Sequence, residues 1–350
     1  MSAVLWPRRV RVLSGPGAVR VLLDLRALVL GVLLLVAVVA VAAVALTLGE
    51  SDIGVGEVLP ALWGQGDPGT VRIVADWRLP RVALAALGGA CLAVSGAIFQ
   101  SMTRNPLGSP DIIGFSTGAY TGALVATLVL GAGAVPVTTG AFVGGLVTAV
   151  LVYLLAAKRG VQGFRLVVVG IAVSAVLGAV NSYLLVTARL EEAVTAAIWG
   201  AGSLNGARWD EVGPVAVCLL VLGPLCAVLA RRITVLELGD EHARMLGVDP
   251  GRTRLVLLVV GVGLVAVITA IAGPITFVAL AAPQIAQRLV AATGPALVPS
   301  ALVGALLLLV SDVIAQRVVA PGQLPVGVVT ACLGGAYLAW LMTRAGKGTT

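Results

Sequence analysis

Arg78-Leu-Pro-Arg-Val-Ala-Leu-Ala-Ala-Leu-Gly-Gly-Ala-Cys-Leu-Ala-Val-Ser-Gly-Ala-Ile-Phe-Gln-Ser-Met-Thr103 begins with two arginines and then runs without charge from Val82 to Thr103. About twenty apolar residues suffice to cross a bilayer as a helix. The stretch therefore reads as a membrane span, with Arg78 and Arg81 at its edge. It leaves through Asn105-Pro-Leu107, a turn punctuated by proline and glycine that carries one polar asparagine. A second apolar run opens with Gly114-Phe-Ser-Thr-Gly118.

Working outward, the same pattern fills the chain. Of its 350 residues 59% are hydrophobic and 11% charged, with a mean hydropathy of +1.07. A soluble domain carries roughly 25% charge, so there is too little polar surface here to cover a water-soluble globule. The charges are also clustered: none falls between Asp111 and Lys158, Arg165 and Arg189, Glu211 and Arg231, or Arg254 and Arg288. A water-facing helix would scatter charge along one side. In lipid, backbone groups must pair within their own segment, so these runs are expected to be helices. The alternating ten-residue segments of a transmembrane barrel are missing.

Ten spans follow, at about residues 28–48, 80–102, 112–132, 136–157, 166–187, 212–230, 254–272, 275–292, 297–313 and 326–343. Gly273-Pro274, Pro283, Gly294-Pro295 and Pro299 interrupt the eighth and ninth. Of the 23 Lys and Arg, six (Arg72, Arg78, Arg81, Arg189, Arg208 and Arg317) fall outside when the N-terminus is placed in the cytoplasm. The positive-inside rule then puts both termini in the cytoplasm. The expected layout is a basic cytoplasmic tail over residues 1–27, one ten-helix domain over 28–345, and a C-terminal tail over 346–350. The basic tail reads either as a contact for anionic lipid or as a poorly ordered topology signal.

Outside the membrane, residues 50–77 form an acidic, glycine-rich external loop with a short helix near residues 56–62. The external segment 189–211 is too short to span. It reads as an interfacial or re-entrant helix anchored by Trp199 and Trp209. The main cytoplasmic segment is 231–254. Within it, residues 236–248 read as a short amphipathic helix with Asp240 as N-cap, Glu241 in the first turn and Gly247 at the stop. Ala243, Met245, Leu246 and Val248 supply its apolar positions. Such a helix packs either on its own bundle or on a soluble partner.

No cluster supports enzymology. The chain has one histidine, His242, and its four cysteines lie in apolar spans without paired ligand spacing, so neither a catalytic residue set nor a metal or other cofactor is expected. Gly118 and Gly122, like Gly140 and Gly144, have the small-xxx-small spacing of close helix packing. Buried mid-membrane charge, the mark of proton- or sodium-coupled carriers, is nearly missing; Asp312 alone comes close. The driving energy then comes from outside the chain. Arg78 and Arg81, three apart, share a face if helical. They either anchor the span at the headgroups or meet acidic side chains of an external partner. A loose likeness between residues 88–96 and 261–269 hints at an inverted repeat of five spans each.

Five motifs resemble the permeases of ABC importers for iron-siderophores, haem and cobalamin, the FecCD or BtuC type. They are Arg78-Leu-Pro-Arg81; Ser95-Gly96 through Phe99-Gln100 to Asn105-Pro-Leu107; Trp199-Gly-Ala-Gly-Ser203; Leu238-Gly-Asp-Glu-His-Ala-Arg-Met-Leu-Gly-Val248; and Gly273-Pro-Ile-Thr-Phe-Val278 with Leu324-Pro-Val-Gly327. The resemblance implies an all-α membrane protein of the type II importer fold in a bacterial inner membrane. It implies a second permease subunit, identical or not, a dimer of cytoplasmic ATPases, and an extracytoplasmic binding protein. No nucleic acid is implied.

Residue by residue, it assigns Arg78 and Arg81 to the binding protein and Asn105 and Leu107 to a cytoplasmic gate. Gly239, Asp240, Glu241, Ala243, Arg244, Leu246 and Gly247 fall to ATPase coupling. Ser174, Asn181 and Ser182 become path-lining candidates, or helix–helix hydrogen bonders. The chain departs from the family pattern at Thr276, Ala279, Gln284 and Gln287. It has Gln316 where the family has an arginine, which leaves the third arginine contact to Arg317 if it turns to replace it. The implied function is import of an iron-siderophore or related chelate. A cobalamin or haem permease, an ATP-independent carrier and a purely structural subunit are the alternatives.

Overall fold

A computed structural model describes residues 10–14, 20–49, 53–131, 136–157, 163–291, 294–319 and 322–345. Residues 1–9 and 15–19 of the expected basic tail, and the C-terminal tail 346–350, lie outside the described residues. The described part of the tail is a hairpin, β1 (Val10–Ser14) antiparallel to β2 (Arg20–Asp24). All other regular structure among the described residues is helical.

Ten helices stand where ten spans are expected. They are α1 (Leu25–Thr47), α4 (Leu79–Thr103), α5 (Phe115–Leu124) with a π-helical extension Val125–Val129, α6 (Val137–Ala156), α7 (Gly163–Thr187), α9 (Trp209–Glu237), α11 (Pro250–Ala272), α12 (Val278–Val290), α13 (Leu297–Arg317) and α14 (Val326–Ala345). Four short helices join them: α2 (Val55–Leu62), α3 (Pro68–Val71), α8 (Leu190–Gly200) and α10 (Asp240–Met245). Among the described residues, seven helical stretches are long and apolar enough by themselves to cross a membrane.

Some boundaries move. The second span is the end of a continuous helix over Pro68–Thr103, because a π-helical stretch, Arg72–Arg78, links α3 to α4. The sixth extends to Glu237 and takes up Arg231 and Arg232, so the cytoplasmic connection is shorter than the charge pattern suggests. The eighth, α12, has 13 residues. At 1.5 Å per residue it is about 20 Å long, short of a ~30 Å hydrocarbon core. Irregular backbone over residues 273–277 precedes it, which membranes tolerate only where protein buries it.

The core sits around α4. It buries residues on every side from Gly88 to Met102 and packs on α9, α11, α12 and α13. Close approach is built from glycine. A Cβ on Gly96 would strike the Ala279 carbonyl, and one on Gly89 would strike that of Gly304. Hydrogen bonds then fix α4 to its neighbours: Ser95 Oγ donates to the Gly261 carbonyl (2.7 Å) and Gln100 Nε2 to that of Leu280 (2.9 Å). Gly118 and Gly122 of α5 meet Gly144 and Gly140 of α6 in the same way, as their spacing anticipates. In contrast, α1 leaves Val32, Leu33, Val36 and Val39 exposed, an apolar face suited to lipid.

Candidate functional site

Candidate functional side chains sit at both ends of the bundle. At the end expected to be external, the π-helical stretch, the start of α9 and the α13–α14 connection enclose an open cleft of about 800 Å³. Arg72, Arg78, Arg81 and Arg208 line it, with Trp77, Trp209, Asp76, Asp210, Gln316 and Gln323. The indole of Trp209 donates to the Ala75 carbonyl (3.0 Å) and closes one wall. Arg78 and Arg81 are thus brought together, but they do different things. Arg78 Nη1 donates to the Leu46 carbonyl at 2.8 Å. Arg81 grips Asp312, with Nε 2.9 Å from Oδ2 and Nη2 2.9 Å from Oδ1, and its Nη1 donates to Gln323 Oε1 at 2.8 Å. Gln316 Nε2 completes the carboxylate's shell at 2.8 Å. The Arg81 and Asp312 side chains are 13% and 3% exposed, so this is a largely desolvated pair. Asp312, the near-membrane charge of the sequence, is therefore neutralised within the chain. Arg317 is exposed at the end of α13 and is not among the residues lining the cleft.

Below this cleft two of the motifs meet, in three segments of the chain. Gly202 (φ +74°) lies against the Pro274 carbonyl, and Gly273 (φ +72°) against that of Trp199. Ser203 N donates to the Ala272 carbonyl (2.7 Å), and Gly327 N to that of Gly202 (3.0 Å). Both left-handed positions favour glycine, and side chains would keep these backbones apart. The two glycine-containing turns and the first turn of α14 therefore lock the irregular lead-in to α12.

At the opposite end, expected to be cytoplasmic, residues 104–114 pass from α4 to α5. Arg104 ends α4 in the left-handed conformation (φ 51°, ψ 36°). Asn105 Oδ1 accepts from Leu107 N (2.9 Å), and Leu107 is half exposed at the turn's tip. Gln284 Nε2 donates to the Pro106 carbonyl at 2.7 Å, so a position that departs from the family pattern straps the loop to α12. A second strap went unread in the sequence. Ser116 Oγ donates to Asp111 Oδ1 at 2.6 Å, and the Phe277 backbone N–H is near enough to favour the charged carboxylate. Its Oδ2 is buried without a partner among the described residues. The available signal was that Asp111 is the only carboxylate between Asp76 and Glu191; a lone acid in so long an apolar stretch is a functional candidate by default.

Nearby, α10 is six residues long. The expected N-cap is corrected: Gly239 caps the helix, and Asp240 is its first residue. The Asp240 carboxylate is engaged elsewhere, accepting from Arg254 Nη2 (2.6 Å) and Nη1 (2.8 Å). The Arg254 pairing, with Arg104 and Arg244 near, holds Asp240 below the ordinary carboxylate range. The stop is as read. Gly247 sits at φ +78°, with Val248 N donating to the Ala243 carbonyl (2.8 Å) and Gly247 N to that of Arg244 (3.0 Å), a Schellman closure. Ala243 is fully buried against the bundle, whereas Glu241, Arg244, Met245 (75%) and Leu246 (61%) are exposed. Two large apolar side chains thus face away from the chain.

On α7, Ser174 Oγ donates to the Gly170 carbonyl and lies against Gly114, and Asn181 is buried. Ser182 is exposed. Along the outer face of α7, Ser182 is open, Ser174 is half-buried and Asn181 is closed off within the bundle. Among the described residues no three His, Cys, Asp or Glu side chains gather as a metal site requires.

A family model described as the FecCD transport family matches residues 10–344. The ferric enterobactin transport system permease protein FepG of Escherichia coli (strain K12) is 48% identical over 320 residues, 91% of this chain and 97% of its own. The achromobactin transport system permease protein CbrC of Dickeya dadantii (strain 3937) is 40% identical over 320 residues, 89% of this chain and 90% of its own. Among solved structures, a metal-chelate type ABC transporter in an inward-facing conformation superposes with a TM-score of 0.80 at 27% identity, over 90% of this chain and 98% of the other.

Proposed function

The chain belongs to the FecCD transport family, and from that premise we propose that it is the permease subunit of an ABC importer carrying a ferric siderophore of the enterobactin class into the cytoplasm. The observation that carries this reading is the match to a ferric enterobactin permease over nine-tenths of the chain. ATP is hydrolysed on separate subunits. The exposed Met245 and Leu246 of α10 support that assignment: a helix pinned by Asp240 and Ala243 presents them as a docking face. In this reading residues 236–248 narrow to α10 and its flanks, with Gly239, Asp240 and Gly247 fixing its ends and Glu241, Arg244 and Leu246 meeting the ATPase. Asn105 and Leu107 form the cytoplasmic gate.

The external cleft receives the acidic surface of a binding protein. Arg78, with Arg72 and Arg208, supplies the accessible charge, Arg81 acts through its hold on Asp312, and Arg317 reaches the partner only beyond the cleft. Ser182 lines the path with a second permease subunit. Both termini are cytoplasmic, as the basic residues favour.

The test is uptake of radiolabelled ferric enterobactin by a bacterium that lacks its own permease but keeps the remaining importer subunits. The chain restores uptake, and Gly247→Pro abolishes it while leaving the protein in the membrane. Proline cannot adopt φ +78° and lacks the N–H donated to Arg244. Undiminished uptake by that variant would remove α10 from the coupling role.

A further inference from the structure

Arg104 occupies a position that favours glycine. It follows the last residue of α4 with φ 51°, and its neighbour Asn105 donates back to the Gln100 carbonyl at 3.1 Å. A left-handed conformation strains a non-glycine residue, so a use for the side chain is sought in what it touches. The guanidinium reaches α10: Nη2 lies 3.9 Å from Asp240 Oδ1, and Nη1 is close beside Gly239.

Asp240 is shared between two arginines. On one side Arg254 of α11, 2% exposed, holds it at 2.6 and 2.8 Å. On the other side Arg104, 47% exposed in its side chain, stands at the outer limit of an ion pair. Arg244 also acts on Asp240 but belongs to α10 and travels with it. The residue after Arg104 is Asn105, whose side chain sets the turn at Leu107.

We infer that Arg104 is a positioning residue that conveys displacement of α10 to the loop bearing Asn105 and Leu107. This inference rests on reading α10 as the ATPase dock. A partly exposed pair at 3.9 Å contributes little at rest. Because Coulomb attraction rises as separation falls, a shift of α10 by about 1 Å changes the pull on the loop's first residue. Buried Arg254 keeps its two-pronged hold on Asp240 and acts as the pivot, so a tilt of α10 about that contact changes the distance on the Arg104 side.

The test uses the complete importer in proteoliposomes, with radiolabelled ferric enterobactin presented on its binding protein, and reads chelates moved per ATP hydrolysed. Arg104→Gln is expected to lower that ratio about fivefold, the low end of coupling between sites, with assembly and ATP hydrolysis retained. Arg104→Lys restores part of it. Arg104→Gly relieves the backbone strain while deleting the side chain, and is expected to behave as Arg104→Gln does. A wild-type ratio in either the Gln or the Gly variant overturns the inference. If the unaltered importer moves no ferric enterobactin, the proposed substrate fails instead. Transmission is then read from a spin label on Leu107→Cys. Its ATP-dependent shift must be lost in Arg104→Gln, and an unchanged shift overturns the inference.

Discussion

The two ends of the bundle each set an arginine against an aspartate, and they do so in opposite ways. At the end proposed to be outer, Asp312 is 3% exposed and enclosed by Arg81 and Gln316. At the end proposed to be inner, Asp240 is held by one buried arginine and approached by one exposed arginine. The outer carboxylate is saturated by its own chain. The inner one keeps an open side toward a loop. A closed network fixes geometry, because each member holds the others. An open one leaves a contact that movement can make or break.

The largest effect expected from this contrast is at the outer pair. Asp312→Ala leaves Arg81 facing a desolvated gap and should cost about 3–5 kcal/mol, read as a lowered unfolding temperature in detergent. Combining Arg81→Met with Asp312→Leu should recover most of that loss. If Asp312→Ala instead kept full stability, the outer network would not be the rigid half of the comparison. At the inner end, Asp240→Ala removes a bidentate partner from buried Arg254. Its expected cost is about 2 kcal/mol, seen as faster hydrogen exchange through α10 and the first turn of α11.

Smaller still, Gly247→Ala forces a methyl group into a left-handed turn, at about 1 kcal/mol. That should appear as local fraying of α10 with little change in global unfolding. Arg104→Gln should alter stability by about 0.5 kcal/mol or less, while its consequence for transport is several-fold. A large stability loss there would erase the difference between the two ends. The least effect should come from acidification. Asp240 has a lowered pKa. Its stabilising contribution is therefore present above the unfolded carboxylate value of 3.8 and is lost only as pH falls through the depressed folded value. Hydrogen exchange of α10, corrected for its intrinsic rate, should be flat from about pH 8 to pH 5.

The family motifs also divide by region. Ser95, Gly96, Phe99 and Gln100 serve the packing of α4 on α11, α12 and the Phe115 ring. Gly202 and Gly273 hold two irregular segments together and against Gly327 in the first turn of α14. Much of what made the sequence recognisable is scaffold. Leu107, Met245 and Leu246 belong to the same set of motifs but are exposed, and in the proposed function they are the ones that act at the surface.

The order and position of ten helices were legible because lipid forces each backbone group to pair within its own segment, so an uncharged run of sufficient length has one stable answer. A short helix within residues 236–248 and its stop at Gly247 were legible, though not its start, because a glycine at the end of a short amphipathic run has a local cause in backbone sterics. The partners of side chains were not. Arg81 and Arg78 are three residues apart, yet one turns to Asp312 and the other to Leu46, because the π-helical stretch and the neighbouring helices set their directions. Asp111 looked like a boundary charge until the fold brought the start of α12 to it. The truncation of α12 likewise depends on glycine contacts from segments about 50 to 75 residues away in the chain. Local chemistry determined where the chain crosses the membrane. Only packing between distant segments decided which charges are closed off and which stay open to act.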